Sequence, residues 1–565
     1  MNTSDLVSVA KGDSPADLLL SHARIVNTLT GEIEEGSVAV HGERIAGVGD
    51  YDLGNESIDL GGKYLSPALI DGHVHPESSM LHIARYAEAV VPRGVSGIVT
   101  DLHEIANVTG LRGIEYVVNS AKSLPLDLYF MVPSCVPATH LETSGARLTS
   151  DEVKTALGLE NAIGLGEVMN FPGVLAADDE VLAKLAAARG KVIDGHAPGL
   201  AGRDLNAYIG CGIYSDHEST SYEEAREKLV RGMYLMIREG SSEKNLEALL
   251  PLVTDRTYKR CLFVVDDRSC GDLMADGDID AVVRKAIKLG LDPIRAIQLA
   301  TINTAEYFGL RQKGAVAPGY YADLVVLDDL ESFAADKVFH HGRLVAQSGK
   351  PLFSPAILQD QEMTHTVRIK PFGVEALRMP ARDGLSPVIE LVPDQIVTSK
   401  AEERAKVEDG FIVPDIERDI LKLAVVERHN ATGNIGLGLV RGFGLQRGAL
   451  ASSIAHDSHN IIVVGTNDAD MFAAIREIER LQGGLVVATG GKVEALALPV
   501  AGLLSAEPLT SVVNGLENLK QKASGLGCKL AHPFATLSFL ALPVIPELRL
   551  TDLGLVDVLA FQLVD

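Results

Sequence analysis

Eight short apolar runs, separated by stretches of helical periodicity, succeed one another between residues 65 and 265, and no other feature limits the possible folds so tightly. The runs are Leu65 to Ile70, Gly97 to Thr100, Leu128 to Val132, Ala162 to Gly166, Lys191 to Ile193, Gly212 to Tyr214, Tyr234 to Ile237 and Cys261 to Val265. Continuous rather than alternating apolar character is what a strand covered on both faces requires, and parallel sheets bury both faces. Most of the intervening stretches read as helices. DDEVLAKLAAARG after the fourth run and SYEEAREKLVRG after the sixth both place acidic residues in the first turn, where they complement the helix dipole. Eight βα units in this span predict an α/β fold, a (β/α)8 TIM-like barrel over 66–314.

The flanks follow a different rhythm. LLLSHARIVNTLTGEIEEGSVAVHGERIAGVG, with β-branched runs broken by Gly and Asn-Thr turns, predicts strands across residues 17 to 65. GAVAPGYYADLVVLDDL and VFHHGRLVAQSGK repeat that signature at 314 to 350. The two are expected to share one small composite β-sandwich domain, 1–65 plus 315–360. GKPLFSPAILQDQ, polar and Pro-containing, reads as a linker. Beyond it, strand-like KLAVVERH, NIIVVGT and GGLVVATGG mix with helical DADMFAAIREIERLQ, so an additional C-terminal α+β domain is expected over 361–565. A chain of 565 residues exceeds what a single hydrophobic core supports, in keeping with this division.

Composition narrows the partners. Lys and Arg number 51 against 76 Asp and Glu, a formal charge of -25 that repels phosphate backbones and argues against nucleic acid. No apolar run reaches the about 18 residues that a membrane-spanning helix needs, and MNTSDLVSVAKGDSPADLLL lacks the basic and apolar regions of a secretory signal. Cys135, Cys211, Cys261, Cys270 and Cys528 are odd in number, scattered and never paired as C-x-x-C. They predict free thiols in a reducing compartment, and so a cytoplasmic protein with no membrane partner.

Chemistry concentrates at the ends of the predicted strands. His73 and His75 follow the first, His103 the second, His196 the fifth and His217 the sixth, while Glu167 ends the fourth and Asp266 the eighth. In a parallel barrel the C-terminal strand ends meet on one face, so residues remote in sequence surround one point. Two His at i and i+2 of a strand point to the same side and can grip one cation. A single strand-end His is more often merely hydrogen-bonded, but His-x-His, Glu, His, His and Asp on strands one, four, five, six and eight make a ligand set. Imidazoles with carboxylates and no placed thiolate suit a divalent transition metal, Zn, Mn or Fe, one or two per subunit. Water bound there would ionise at a pKa of roughly 7 instead of about 15.7, which provides a nucleophile for hydrolysis. His456, Asp457, His459 and Asn460 also have a chelating spacing. A polar turn ahead of the apolar strand IIVVG, packing on the barrel or shaping its pocket, explains them more simply. Arg238 and Glu239 end the seventh strand as a structural ion pair or as pocket lining.

LIDGHVHPESSM, DLHEIANVTG, FMVPSCVPAT, GLGEVMNFPGV, DGHAPGL, GIYSDHEST, REGS and the run from TINTAEYFGL to GYYADLVVLDDL carry a resemblance to the amidohydrolase superfamily, and within it to the adenine deaminase family. LGLVRGFGLQRGALASSIAHDSHNIIVVGTND extends the resemblance into the C-terminal domain, so that it spans nearly the whole chain. His-x-His is common to the superfamily, whereas ESSM, HEIANV and AHDSHN are much more specific. The chain departs from the family pattern at Pro67-Ala68-Leu69, where Pro-Gly-Phe is usual, at Leu102, where Pro is usual, and in DRSCGDLMADG after Asp266. The first two changes are apolar and remove no ligand, while the third bears on substrate contacts after Asp266.

The resemblance implies hydrolytic deamination of adenine to hypoxanthine and ammonia, as in purine salvage, by a homodimer. By the same resemblance His73, His75, Glu167, His196 and His217 hold the metals, with Asp266 contacting metal or the nucleophilic water. Asp266 would take a proton during attack at C6 and pass it to the departing amine. Glu167 or His103 would protonate the ring N1. Glu77, Asp101 and Glu104 would contact the purine or orient His103, unless they serve only as hydrogen-bond partners behind the contacts. Another cyclic-amide hydrolase on this scaffold, of the dihydroorotase or imidazolone type, would need a cationic clamp for a substrate carboxylate, whereas this pocket is rich in Glu and Asp. A catalytically silent scaffold protein would have lost a ligand or Asp266, and none is missing. Cytidine-type deaminases are excluded by the absence of H-x-E with P-C-x-x-C.

Overall fold

In a computed structural model of the chain, which describes residues 2–393 and 395–564, the apolar runs form parallel strands. These are β1 Leu69–Asp71, β2 Val95–Asp101, β3 Asp127–Pro133, β4 Ala162–Val168, β5 Val192–Gly195, β6 Ser215–Asp216, β7 Tyr234–Arg238 and β8 Cys261–Val264. β1 to β5 pair in sequence order as one parallel sheet, and β6 to β8 as a second. Tyr214 donates its backbone N–H to the Ile193 carbonyl between the two (3.2 Å). On the other side Val74–His75, just past β1, pairs in parallel with Asp266–Asp267, just past β8. The domain is therefore TIM-barrel-like. All seven residues of β2 are buried, as a strand lying between the interior and an outer layer of helices must be. The helices start where their caps allow. Asp178 accepts from the backbone of Glu180 and Val181 ahead of Asp179–Ala187, and Ser221 accepts from Glu224 ahead of Tyr222–Val230.

Two strands differ from the apolar-run expectation. The run from Leu65 to Ile70 serves two sheets: Tyr64–Pro67 pairs antiparallel with Leu324–Leu327 and only Leu69–Asp71 joins the barrel. Pro67 has no N–H to continue a ladder, and the chain changes partner next to it, Ala68 donating to Asp323 and Leu69 to Gly94. The sixth strand is Ser215–Asp216 rather than Gly212 to Tyr214. Gly212 turns the chain at φ +93°, and the polar pair is buried because Asp216 accepts from Ala197 N–H, Ser219 Oγ and Lys228 Nζ.

Outside the barrel a nine-stranded sheet unites strands from residues 16–67 with strands from 324–351, meeting where Tyr64–Pro67 lies beside Leu324–Leu327. Leu20, Ile25, Val38, Val40, Leu65, Leu324, Val326 and Phe339 form its core, each worth about 1.5–3 kcal/mol when fully buried. Lys313 fastens the sheet to the barrel: its buried ammonium donates to Asp323 (2.6 Å), to His341 Nε2 (3.1 Å) and to Asp127 at the start of β3. That network lies at the N-terminal ends of the strands, the end that serves stability in barrels of this kind.

The C-terminal region builds an eight-stranded sheet. Ile461–Gly465 and Gly484–Thr489 fall within two of the strand-like runs, and Ile420–Val426 overlaps the third, starting two residues before it. Helix Asp468–Leu481, capped by Asn467, lays Met471, Ala474, Ile475 and Ile478 across it. Among the described residues no helix is long and apolar enough to cross a membrane, and all five cysteines are unpaired.

Candidate active site

Each sequence-predicted ligand leaves the C-terminal end of a barrel strand. Asp71, the last residue of β1, turns Oδ1 back to accept from the backbone N–H of His73 (3.1 Å) and of Val265 (3.3 Å), which joins the ends of the first and eighth strands. The extended path through residues 73–75 then sends both imidazoles to one side. Glu167 is the penultimate residue of β4, and Ser134, from the loop after β3, donates Oγ–H to its carbonyl. His196 and His217 directly follow β5 and β6. Asp266 follows β8 at φ +64°, a conformation uncommon outside glycine, and is paired with Val74.

The side chains converge on Glu167. Its Oε1 lies 3.2 Å from His73 Nε2 and 3.0 Å from His75 Nε2, and its Oε2 lies 2.7 Å from His196 Nδ1 and 3.2 Å from His217 Nε2. Asp266 Oδ1 sits on the first side only, 3.5 Å from His73 Nε2 and 3.2 Å from His75 Nε2. One carboxylate thus stands between two pairs of imidazoles, and a second carboxylate joins one pair.

This donor set fits a divalent metal. His75 Nδ1–H donates to the Asp101 carbonyl (2.9 Å), which leaves the Nε2 lone pair facing the cage. Among the described residues neither ring nitrogen of His73 has a hydrogen-bond partner, although the residue is buried, and His217 Nδ1 has none. Buried polar atoms without partners are costly unless something else binds them. His73, His75 and Asp266 form one compact group of ligand atoms, and His73, Glu167 and His217 another. Electrostatics agree. Burial opposes ionisation of Glu167, yet His217 and His73 outweigh it and hold the carboxyl well below its usual range. Burial likewise opposes charge on His75 and His217, yet Glu167 and Asp266 push both imidazoles well above theirs. The cage attracts positive charge, which a bound cation supplies in place of protons.

The remaining predicted residues surround this cage. His103 opens the helix His103–Thr109 (α1), with Nδ1 3.3 Å from Asp101 Oδ1 and 3.9 Å from Glu167 Oε1, and Nε2 3.6 Å from Glu104 Oε1. Asp101 ends β2, and its Oδ2 has no partner. Glu104 is saturated from its far side by His456 and His459 of the C-terminal domain. Glu77, in the turn after His75, is buried with no partner for either oxygen, and burial pushes its carboxyl up to about 7.

Two further residues enter, Glu218, which the strand-end criterion does not select, and Arg238, which the sequence offers at a strand end only as an ion-paired or pocket-lining residue. Glu218, beside His217, brings Oε1 to 3.4 Å from His217 Nε2 and 3.6 Å from His196 Nδ1. Arg238, at the end of β7, donates to Glu218 Oε1 (2.5 Å) and to Asp266 Oδ2. Burial opposes ionisation of Asp266 as well, but Arg238, with His73 and His75, holds its carboxyl well below the ordinary range. The available signal is adjacency: Glu218 follows a ligand in sequence, and Arg238 is a cation at a strand end. Glu239, next to Arg238, faces away and pairs with Lys285.

Comparison with known proteins identifies the family of the chain. Residues 64–345 match the Amidohydrolase family and residues 395–562 the Adenine deaminase C-terminal domain. An adenine deaminase of Dehalococcoides mccartyi is 60% identical over 564 residues, covering 100% of this chain and 99% of that one. Adenine deaminase 2 of Carboxydothermus hydrogenoformans is 51% identical over 562 residues, covering 99% and 98%. A solved adenine deaminase structure, 19% identical, superposes with a TM-score of 0.45 over 58% of this chain and 99% of the other.

Proposed function

Because this chain belongs to the adenine deaminase family of the metal-dependent amidohydrolases, we propose that it hydrolyses adenine to hypoxanthine and ammonia. The observation that carries the reading is Glu167 standing between two imidazole pairs, with Asp266 beside one of them. His73, His75, Glu167, His196, His217 and Asp266 would hold the divalent metal, one or two ions of Mn, Fe or Zn. When bound there, a divalent metal would supply a nucleophile by lowering the pKa of water to roughly 7.

The chain's own groups handle binding and protons. Asp266, tethered through Oδ2 by Arg238, turns Oδ1 towards the cage, where it takes the proton of the attacking water and passes it to the amine leaving C6. His103 protonates N1, which draws electron density from C6, and regains a proton from the C6 hydroxyl as that becomes a carbonyl, whereas the Glu167 carboxyl, held well below its usual range, has no proton to give. The unpartnered oxygens of Glu77 suit the N–H donors of an aminopurine. Asp101 and Glu104 flank His103 and orient it. One water enters, the C6–N bond breaks, and hypoxanthine and ammonia leave.

We assign a composite β-sandwich domain to 1–65 plus 315–360, the barrel to 66–314 and the C-terminal domain to 361–565. We also propose that the protein acts as a homodimer in cytoplasmic purine salvage. Metal-reconstituted protein incubated with adenine, adenosine and a hydantoin, followed by ammonia release and ultraviolet change, tests the reading. Turnover of the hydantoin without adenine would overturn it.

A further inference from the structure

Where the C-terminal domain meets the barrel, a second buried cluster forms around Glu104 in the first turn of α1. Glu104 Oε1 lies 2.8 Å from His456 Nδ1, and Oε2 accepts from His459 Nε2. A carboxylate with two imidazoles matches a metal site in composition. The hydrogen bonding points elsewhere. His459 Nδ1 accepts from the Ala455 backbone N–H (3.2 Å), so the ring proton sits on Nε2, the atom that a cation would need. Burial pushes the His459 imidazole down to about 4 against the pull of Glu104, with His456 and Arg428 adding to the effect, in keeping with a neutral ring that donates.

The loop carrying both histidines is held still. Arg428, fully buried, donates through Nε to the His459 carbonyl and through Nη2 to the Ala501 carbonyl (3.0 Å). His429 Nε2–H donates to the Ser458 carbonyl (2.7 Å). Asn460 Nδ2 donates to the Thr143 carbonyl (2.7 Å), which closes the loop onto the barrel. The His456 ring stacks on Phe539, centroids 4.6 Å apart. Such support fixes a donor far more closely than a free surface turn does.

We propose that His459 and His456 are positioning residues, through which the C-terminal domain fixes the Glu104 carboxylate against His103 and sets the orientation of that ring beside the metal centre. The inference rests on the reading of His103 as a group at the reacting centre. Its imidazole stands between two carboxylates, Asp101 at Nδ1 and Glu104 at Nε2. The first belongs to the barrel, and the second is oriented by the other domain. With His459 truncated, Glu104 loses one of the two donors that aim it, and the His103 ring loses a fixed partner.

The test uses the full-length, metal-loaded protein and its variants His459→Ala, His459→Gln and His456→Phe. Metal content, kcat and KM for adenine, and calorimetric affinity for hypoxanthine are measured on each. Gln can present an N–H close to where imidazole Nε2–H sits, and Phe keeps the stacking on Phe539. Supporting partners of this kind are worth about 10–100-fold in activity. His459→Ala is expected to lower kcat by that factor, with KM and hypoxanthine affinity within about threefold of the parent. His459→Gln should recover most of the loss, and His456→Phe should lower kcat in the same sense. A merely structural role would reduce the melting temperature without the kcat-against-KM split and without rescue by Gln. Metal-replete His459→Ala with parental kcat, or His459→Gln no better than Ala, would overturn the proposal. Should His459→Ala not fold, unchanged kcat in His456→Phe overturns it instead. Failure of the parent to turn over adenine is read first, and it sinks the functional reading rather than this one.

Discussion

Replacing Asp266 with Asn keeps the shape of the side chain and one oxygen while removing the negative charge that faces His73 and His75. The folding cost and the catalytic cost separate cleanly. Stranding one member of a buried ion pair costs about 3–5 kcal/mol, but Arg238 is not stranded. Glu218 pairs with it through Nη1 at 2.5 Å and Nη2 at 3.2 Å, and Glu243 lies 3.9 Å from Nη2. The expected destabilisation is that of one hydrogen bond to a charged group, about 1.5–3 kcal/mol. On the reaction side, one well-positioned proton carrier is worth about 10²–10⁴ in rate, or roughly 2.7–5.4 kcal/mol of barrier. The carboxylate acts chiefly as the proton moves, so the loss should fall on kcat rather than on KM. Ammonia release and the adenine-to-hypoxanthine absorbance change give kcat, and elemental analysis of the same sample gives metal occupancy. That control matters because an emptied site would mimic a lost proton carrier. Normal occupancy with kcat within a few-fold of the parent would refute the assignment and pass the proton to His103 or Glu167.

Chelation should abolish turnover, and Mn, Fe or Zn should restore it to different degrees, since water ionisation depends on the ion; full activity in protein shown by elemental analysis to be metal-free would exclude the mechanism. Adenine should be deaminated while adenosine and AMP are not, because the free base is the substrate the family resemblance implies and Glu77 and the neighbouring acids offer no cation to the phosphate of AMP; ammonia released from adenosine at a comparable rate contradicts this. Glu142, buried beside Thr139 with its carboxyl pushed up by burial to about 8, binds a proton in the folded state that the unfolded chain releases near its ordinary 4.5. Its contribution to stability is therefore full below about 4.5 and is lost as pH rises to about 8. Glu142→Gln should flatten that slope by on the order of a few kcal/mol, read as melting temperature against pH, and parallel profiles for parent and variant would rule out the buried proton.

Much of the barrel and its ligands is legible because each depends on local chemistry. A strand buried on both faces has to be apolar along its length, and metal ligands have to be His or carboxylate at strand ends. Those two conditions pick out His73, His75, His103, Glu167, His196, His217 and Asp266, and the structure gathers His73, His75, His196 and His217 around Glu167 with Asp266 beside one pair. What stays hidden depends on partners distant in sequence. The run from Leu65 to Ile70 looks like one strand because periodicity does not reveal that Leu324–Leu327 captures its first half. Ser215–Asp216 escapes an apolar criterion because its burial is compensated by Lys228 and Ser219. The surroundings of Glu104 stay hidden until His456 and His459, some 350 residues later, are seen on its oxygens.

Arg238 shows why the balance of charge, rather than its presence, selects the substrate class. A hydrolase of carboxylate-bearing rings needs a cationic clamp, and on sequence alone Arg238, at the end of β7, is available for that task. In the folded protein both Glu218 and Asp266 accept from it, so its charge is matched before any substrate arrives. A substrate carboxylate would have to displace one of them and would meet Glu77 and Glu167 besides. A neutral aminopurine makes no such demand, since its N–H groups are donors and the unpartnered oxygens of Glu77 and Asp101 are acceptors. The same pairing leaves Asp266 Oδ1 as the oxygen that faces His73 and His75. Discrimination against anionic rings and the aim of the proposed proton carrier thus follow from one ion-paired arginine.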